Sequence, residues 1–232
     1  MTALLASVTT PEEALLAVQA NVDLIDLKDP GQGALGALPL EQIRHIVEVL
    51  EGHTVSATIG DLPLQPEIIG TAVKTISECG IDYIKIGFFP GGDADGVLAA
   101  LQPLAKRFFL IAVLFADYMI ALPLIDALAS TGFKGVMLDT ARKEKGSLTK
   151  IRDKVFLQRF LLRAKSQGLL TGLAGSLQLE DIPRLLPLGP DYLGFRGALC
   201  ETGKRTQCLD SKRLATIRAA IPVAATRKIS NY

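Results

Sequence analysis

The sequence predicts a TIM barrel, the (β/α)₈ fold of the α/β class, formed by a single domain over residues 1–232. Eight short apolar runs alternate with amphipathic stretches, and each pair takes roughly thirty residues. Such alternation favours parallel strands, because a helix must carry the chain back between them. A doubly wound open sheet is the alternative, but no G-x-G-x-x-G motif follows the first strand. We therefore predict a closed barrel.

Each strand is predicted from an apolar run, and each helix from a start signal and an amphipathic pattern. After strand 1, Thr10 is a typical N-cap, and Pro11 suits the first helical position. The eight predicted strands cover residues 3–8, 23–28, 54–59, 82–88, 108–115, 134–139, 169–176 and 191–197. The helices after strands 2, 5, 6 and 8 are predicted over residues 39–50, 119–130, 150–166 and 210–220. The helices after strands 3, 4 and 7 are predicted to end at Cys79, Leu104 and Leu186.

The composition limits the classes of function. With 49% hydrophobic residues in 232, the chain can bury one sizeable core. A net charge of +1 gives no general attraction to nucleic acid or to an acidic membrane. The longest apolar run, residues 108–116, is too short to span a bilayer. Three cysteines without C-x-x-C spacing favour a reducing compartment. We expect a cytoplasmic homo-oligomer with neither nucleic-acid nor membrane partners.

The stretch "DLIDLKDPGQGALG" (23–36) places charged residues where a core strand should be apolar. Asp26 and Lys28 share a strand face with Leu24, so that face carries an acid and an amine toward the barrel interior. A buried lysine is costly unless it is paired or neutral. Lys85, in "DYIKIGF", is likewise a charged residue in an otherwise apolar strand, strand 4. Either lysine alone is equally well explained by a side chain that reaches solvent.

The two lysines together favour an amine site. Alternate strands contribute to one layer of a barrel interior, so strands 2 and 4 should bring Lys28 and Lys85 together. Two lysines in a half-dry pocket lower each other's affinity for a proton. Imine formation with a carbonyl requires a neutral amine, and Asp26 is placed to hold or relay the proton. Asp139 and Lys143, at the end of strand 6, complete the predicted catalytic set.

The loops after strands 7 and 8 predict a phosphate site. Barrels often bind phosphate there through backbone N–H groups and a helix N-terminus. The candidate residues are Gly175 and Ser176 in "LAGS", and Gly194, Arg196 and Gly197 in "GFRG". Arg196 would add a bidentate charged contact. The alternative is that these glycines only serve tight turns. A small phosphorylated molecule is therefore the expected partner.

The remaining basic residues, histidines and cysteines do not indicate a functional site. Residues 142–165 carry nine basic residues, but most lie on a helix whose other face is apolar, so a solvated helix face is favoured over nucleic-acid binding. His45 and His53 fit no metal spacing, and Cys200 and Cys208 have no nearby histidine. We expect neither a metal nor an organic cofactor.

Six blocks in the same order resemble the (5-formylfuran-3-yl)methyl phosphate synthase family of methanofuran biosynthesis. They are "DLIDLKDPGQGALGA", "VSATIGDLP", "DYIKIG", "MLDTARK", "LAGSL" and "GFRGA". The resemblance implies a carbon–oxygen lyase that condenses two glyceraldehyde 3-phosphate molecules to 4-(hydroxymethyl)-2-furancarboxaldehyde phosphate, with phosphate and water lost. It further implies that Lys28 is the Schiff-base lysine, Lys85 the proton acceptor, and Asp26 and Lys143 further active-site residues.

The sequence alone leaves two other hypotheses open. A class I aldolase acting on another sugar phosphate would also need Lys28, and only its product would distinguish it. A non-catalytic barrel that binds a phosphate ligand would tolerate the loss of Lys28 and Lys85 while it kept binding. Two lysines and an aspartate in one pocket exceed what a binding module needs, so this hypothesis ranks third.

Overall fold

The structure, a computed structural model, describes residues 1–222. Eight parallel strands pair in sequence order, and the last pairs with the first, so the sheet closes into a barrel. This confirms the predicted TIM barrel. The single-domain prediction extends over residues 223–232, which lie outside the described part. The strands are β1 (Ala3–Val8), β2 (Leu24–Leu27), β3 (Val55–Thr58), β4 (Tyr83–Phe88), β5 (Phe109–Phe115), β6 (Gly135–Asp139), β7 (Leu170–Leu173) and β8 (Tyr192–Phe195).

Helices follow the strands and cover the outside of the barrel. They are α1 (Pro11–Gln19), α2 (Leu40–Val49), α3 (Pro66–Ser77), α4 (Ala94–Ala105), α5 (Pro123–Thr131), α6 (Leu148–Ile151), α7 (Lys154–Ser166), α8 (Ile182–Leu185) and α9 (Ser211–Ala220). The predicted N-cap Thr10 accepts a hydrogen bond from the Glu13 N–H, and Pro11 occupies the first helical position. Asp210 caps α9 in the same manner.

Two predicted helices differ from the structure. The helix expected over residues 119–130 begins at Pro123, because proline is accepted in the first turn but not inside a helix. The helix expected over 150–166 is split at Arg152, where the backbone is extended, and Asp153 starts α7 by accepting the Phe156 N–H. The helix after β7, α8, is short and flanked by 3₁₀ turns.

The apolar side chains form two layers. A large cluster lies between the strands and the helices, and a smaller one fills the barrel interior. The smaller cluster includes Leu5, Leu24, Tyr83, Ile111 and Tyr192. The interior becomes polar toward the carboxyl ends of the strands, where Asp26, Lys85 and Asp139 are buried. No helix in residues 1–222 has the length and apolar character needed to cross a membrane.

Candidate active site

A cavity of about 470 Å³ opens at the carboxyl ends of the strands. Its position is where barrel enzymes carry their sites. All ten site residues that the sequence predicts line this cavity. They are Asp26, Lys28, Lys85, Asp139, Lys143, Gly175, Ser176, Gly194, Arg196 and Gly197.

Asp26 lies at the centre of the buried polar groups. In the sheet register it stands beside Ser7 of β1 and Ser56 of β3, and both hydroxyls donate to its carboxylate, at 2.9 and 2.7 Å. The Nζ of Lys85 lies 2.9 Å from Asp26 Oδ1. Burial raises the pKa of Asp26, but the charges of Lys85 and Lys28 outweigh it, and the net pKa is lowered. Asp26 is therefore a fixed anion.

The second carboxylate, Asp139, lies between two lysines. Its Oδ1 is 2.7 Å from the Nζ of Lys143, and its Oδ2 is 3.8 Å from the Nζ of Lys28. The Thr140 N–H also donates to Oδ1, at 2.7 Å. Burial alone would raise the pKa of Asp139, but Lys143 and Lys28 lower it to about 2. Lys143 is further held by the Thr140 carbonyl and, at 3.3 Å, by its hydroxyl.

The pairing differs from the expectation for Asp26. The sequence placed Asp26 beside Lys28 because they share a strand face, but the side chain of Asp26 pairs with Lys85 on β4. The carboxylate nearest to the Lys28 amine comes from β6. The arrangement of the strands around the barrel, not the spacing along β2, decides which acid meets which amine.

Burial shapes the chemistry of two lysines. It lowers the pKa of Lys85, which Asp26 partly restores and Lys28 lowers further, so the net pKa is below its usual value. The pKa of Lys143 is also lowered by burial, partly restored by Asp139, and lowered again by Lys28 and Arg205. Both amines therefore give up a proton more readily than an exposed lysine.

The loop after β7 exposes backbone donors to the cavity. Gly175 has φ +107°, and a Cβ there would lie 2.8 Å from Thr140 Cγ2, so only glycine fits without displacement. Ser176 also has a positive φ of 50°. The N–H groups of Gly175 and Ser176 make no hydrogen bond to the described residues. Two free N–H groups on such a turn suit an anion.

The glycine within β8 and the glycine after it have different roles. Gly194 lies within β8, where a Cβ would stand 3.1 Å from the Cβ of Ala174, so packing explains this glycine. Gly197 lies beyond the strand, and a Cβ there would lie 3.3 Å from the Gly203 carbonyl oxygen. Gly197 thus lets the Gly203 backbone, later in the same loop, pack closely against it.

The structure gives Arg196 protein partners in place of the predicted phosphate. A guanidinium has five N–H donors, and all five of Arg196 have protein partners. Two go to the buried carboxylate of Glu13, and the others to the carbonyls of Ser7, Arg205 and Gln207. No donor is left for a substrate phosphate, although the residue lines the cavity.

Sequence reasoning missed Ser7 and Glu13. Ser7 lies two residues after Leu5 and therefore shares the inward face of β1, which was the available signal. Glu13 lies in the first turn of α1, where an acid usually faces solvent and suits the helix dipole, but it is buried and bound to Arg196. Lys204 and Arg205 also line the cavity, from the loop after β8, where the sequence left the details of the phosphate site open because the family resemblance ends near Cys200.

Comparisons with known proteins agree on one family. A family model described as "4-HFC-P synthase" matches residues 4–218. A provisionally named (5-formylfuran-3-yl)methyl phosphate synthase from Methylorubrum extorquens is 44% identical over 212 residues, which are 91% of this chain and 88% of the relative. The (5-formylfuran-3-yl)methyl phosphate synthase of Methanocaldococcus jannaschii is 36% identical over 87% of this chain and 92% of its own length.

Solved structures share the fold at lower identity. A 3-hexulose-6-phosphate synthase matches with a TM-score of 0.67 and 18% identity, over 95% of this chain and all of that one (100%). Phosphoribosyl anthranilate isomerase from Thermus thermophilus matches with a TM-score of 0.66 and 17% identity, over 95% and 98% of the two chains. These structures show the fold alone. The family model and the relatives identify the chain as an enzyme, and it belongs to the 4-HFC-P synthase family.

Proposed function

We propose that this enzyme condenses two molecules of glyceraldehyde 3-phosphate to 4-(hydroxymethyl)-2-furancarboxaldehyde phosphate through an imine on Lys28, as a step of methanofuran-type cofactor biosynthesis. The names of its relatives support the product, and the cavity supports the route. No step of this route requires a metal or an organic cofactor.

The state of the Lys28 amine is the observation that carries the proposal. The amines of Lys85 and Lys143 lie 2.9 and 2.7 Å from carboxylate oxygens. The Nζ of Lys28 is 3.8 Å from its nearest carboxylate, Asp139, and makes no hydrogen bond within residues 1–222. Its side chain is 11% exposed and lines the cavity. Of the three amines, Lys28 is thus the one free to attack a carbonyl carbon.

Lys85 suits the role of proton acceptor. The Lys28 amine adds to the aldehyde carbon and water leaves, which gives a protonated imine that acidifies the neighbouring C–H bond. Lys85 shares the cavity with Lys28, and its lowered pKa allows it to take that proton. Asp26 holds the Lys85 amine in place at 2.9 Å. The resulting enamine can attack the second aldehyde or expel a phosphate.

The charge of the cavity favours phosphorylated substrates. Apart from Arg196, which Glu13 neutralises, five cationic side chains and two carboxylates line the cavity. The cations are Lys28, Lys85, Lys143, Lys204 and Arg205. This excess of positive charge and the free N–H groups of the Gly175–Ser176 turn suit phosphate dianions.

Product analysis tests the proposal. Two substrate molecules contain the atoms of one furan phosphate, one inorganic phosphate and two waters. The purified enzyme should therefore form one furan, seen by its ultraviolet absorbance, and one phosphate for every two glyceraldehyde 3-phosphate molecules consumed. A class I aldolase would instead give a sugar bisphosphate without phosphate release, and that result would reject the proposed reaction.

A further inference from the structure

The ion pair of Glu13 and Arg196 connects parts of the chain that are distant in sequence. Arg196 follows β8, Glu13 lies on α1, and the two side chains are only 7% and 6% exposed. The Glu13 carboxylate also accepts hydrogen bonds from the Thr9 N–H at 2.7 Å, the Thr9 hydroxyl at 2.8 Å and the Leu209 N–H at 3.1 Å. A buried ion pair with all its polar groups satisfied fixes the geometry of the segments that it joins.

The same pair fixes the loop between β8 and α9. Arg196 donates to the carbonyls of Arg205 and Gln207, both at 2.9 Å, while Glu13 binds the N–H of Leu209. Gly203 has φ +75°, a conformation that glycine adopts without strain, and it turns the chain just before Lys204. The backbone that follows the Arg205 side chain, from its own carbonyl to the Leu209 N–H, is thus held from inside the protein.

Arg205 has donors to spare where Arg196 has none. One of its five N–H groups, on Nη1, donates to the Gly33 carbonyl at 3.0 Å, and the other four have no partner in the described part of the chain. Gly33 belongs to the loop that follows Lys28. The contact therefore places the Arg205 guanidinium at the mouth of the cavity, beside the loop that begins at the reactive amine.

We propose that Arg205 binds the phosphate group of the substrate, and that the buried Glu13–Arg196 ion pair is the positioning device that holds Arg205 at the cavity. The inference deepens the proposed function, since it rests on a phosphorylated substrate. It moves the arginine–phosphate contact from Arg196, whose donors are all used, to a residue nine positions later. Glu13 and Arg196 act through Arg205 and do not touch substrate themselves.

Binding of an unreactive phosphate ester tests the inference without turnover. Glycerol 3-phosphate carries the phosphate but no carbonyl, so calorimetry reports its affinity whether or not Lys28 forms an imine. The wild type should bind it and should not bind glycerol. Arg205→Ala should weaken binding roughly 10- to 100-fold, because charge-assisted hydrogen bonds are lost. Arg213→Ala, which removes an exposed arginine of α9 outside the cavity, should leave binding unchanged.

A double-mutant cycle tests the positioning role. Glu13→Gln should weaken binding in the wild type but have no further effect in the Arg205→Ala background, because both substitutions remove the same contact, that between Arg205 and the phosphate. A merely structural role would weaken binding equally in both backgrounds and would overturn the positioning claim. Unchanged affinity of Arg205→Ala, or no binding of glycerol 3-phosphate by the wild type, would overturn the phosphate contact. If Glu13→Gln does not fold, the Arg205→Ala and Arg213→Ala pair still decides that contact.

Discussion

Replacing Asp26 by Asn should leave Lys85 as a buried amine without a counter-charge. In residues 1–222, Asp26 is the only carboxylate within ion-pair distance of Lys85, at 2.9 Å. The amide is nearly isosteric, so the volume of the cavity should not change. Ser7 and Ser56 can still donate to the amide oxygen or accept from its NH₂ group. The substitution therefore removes charge and little else.

The expected loss of stability follows from burial. The side chains of Lys85 and Asp26 are 3% and 1% exposed, and removal of one partner from such a pair costs about 3–5 kcal/mol. Lys85 can limit this cost by releasing its proton, because burial lowers its pKa and the loss of Asp26 lowers it further. We therefore expect the lower limit, about 3 kcal/mol. For a chain of this size, that lowers Tm by roughly 6–12 °C.

Thermal unfolding followed by far-UV circular dichroism at neutral pH measures the effect. The double variant Asp26→Asn/Lys85→Met should recover part of the lost stability, because no charge is then left unpaired. Asp126→Asn is the control, because it breaks the exposed ion pair between Asp126 and Arg163, whose side chains are 31% and 49% exposed. This substitution should lower the free energy of unfolding by less than about 1 kcal/mol. An Asp26→Asn variant that melts with the wild type, or a double variant less stable than Asp26→Asn, would refute the reasoning.

Three further predictions concern other parts of the site. The pKa of Asp139 is about 2 in the folded protein, so above pH ~4 its ionised form adds about 2 kcal/mol to the free energy of unfolding. This contribution is lost as the pH falls toward 2. Urea unfolding across this range should therefore show a flatter pH dependence of stability for Asp139→Asn than for the wild type. Gly175→Ala should lower stability and weaken glycerol 3-phosphate binding, because its Cβ meets Thr140, whereas Gly168→Ala, with φ +72° and open space around it, should only lower Tm slightly. Arg196→Ala should lower Tm markedly because it leaves the buried Glu13 carboxylate unpaired, and an unchanged Tm would contradict the assigned contacts.

The part of the site that follows local rules could be predicted from the sequence. Period-two alternation along β2 places Asp26 and Lys28 on the inward face, and the eightfold alternation places both at the carboxyl end of a barrel. Turn chemistry likewise identified the Gly175–Ser176 loop, where the backbone has positive φ. These features depend on neighbours within a few residues.

The pairing of charges could not be predicted in the same way. The contact of Arg196 with Glu13 spans 183 positions and exists because β8 closes against β1. Nothing in the sequence around Glu13 or Arg196 indicates that the two side chains form an ion pair. The choice of Lys85 as the partner of Asp26 likewise depends on the stagger of β2, β3 and β4. Contacts set by closure and register become visible only in three dimensions.

Borohydride trapping tests the central claim most directly. Reduction during turnover with glyceraldehyde 3-phosphate should fix the substrate to the protein as a secondary amine, and peptide mass mapping should place the added mass on Lys28. Lys28→Ala should abolish the label, whereas Lys85→Ala should retain some label while furan formation is lost, because it removes the proton acceptor and not the nucleophile. A label on Lys85 would reverse the two roles, and an enzyme that forms the furan yet traps no substrate would contradict the imine mechanism.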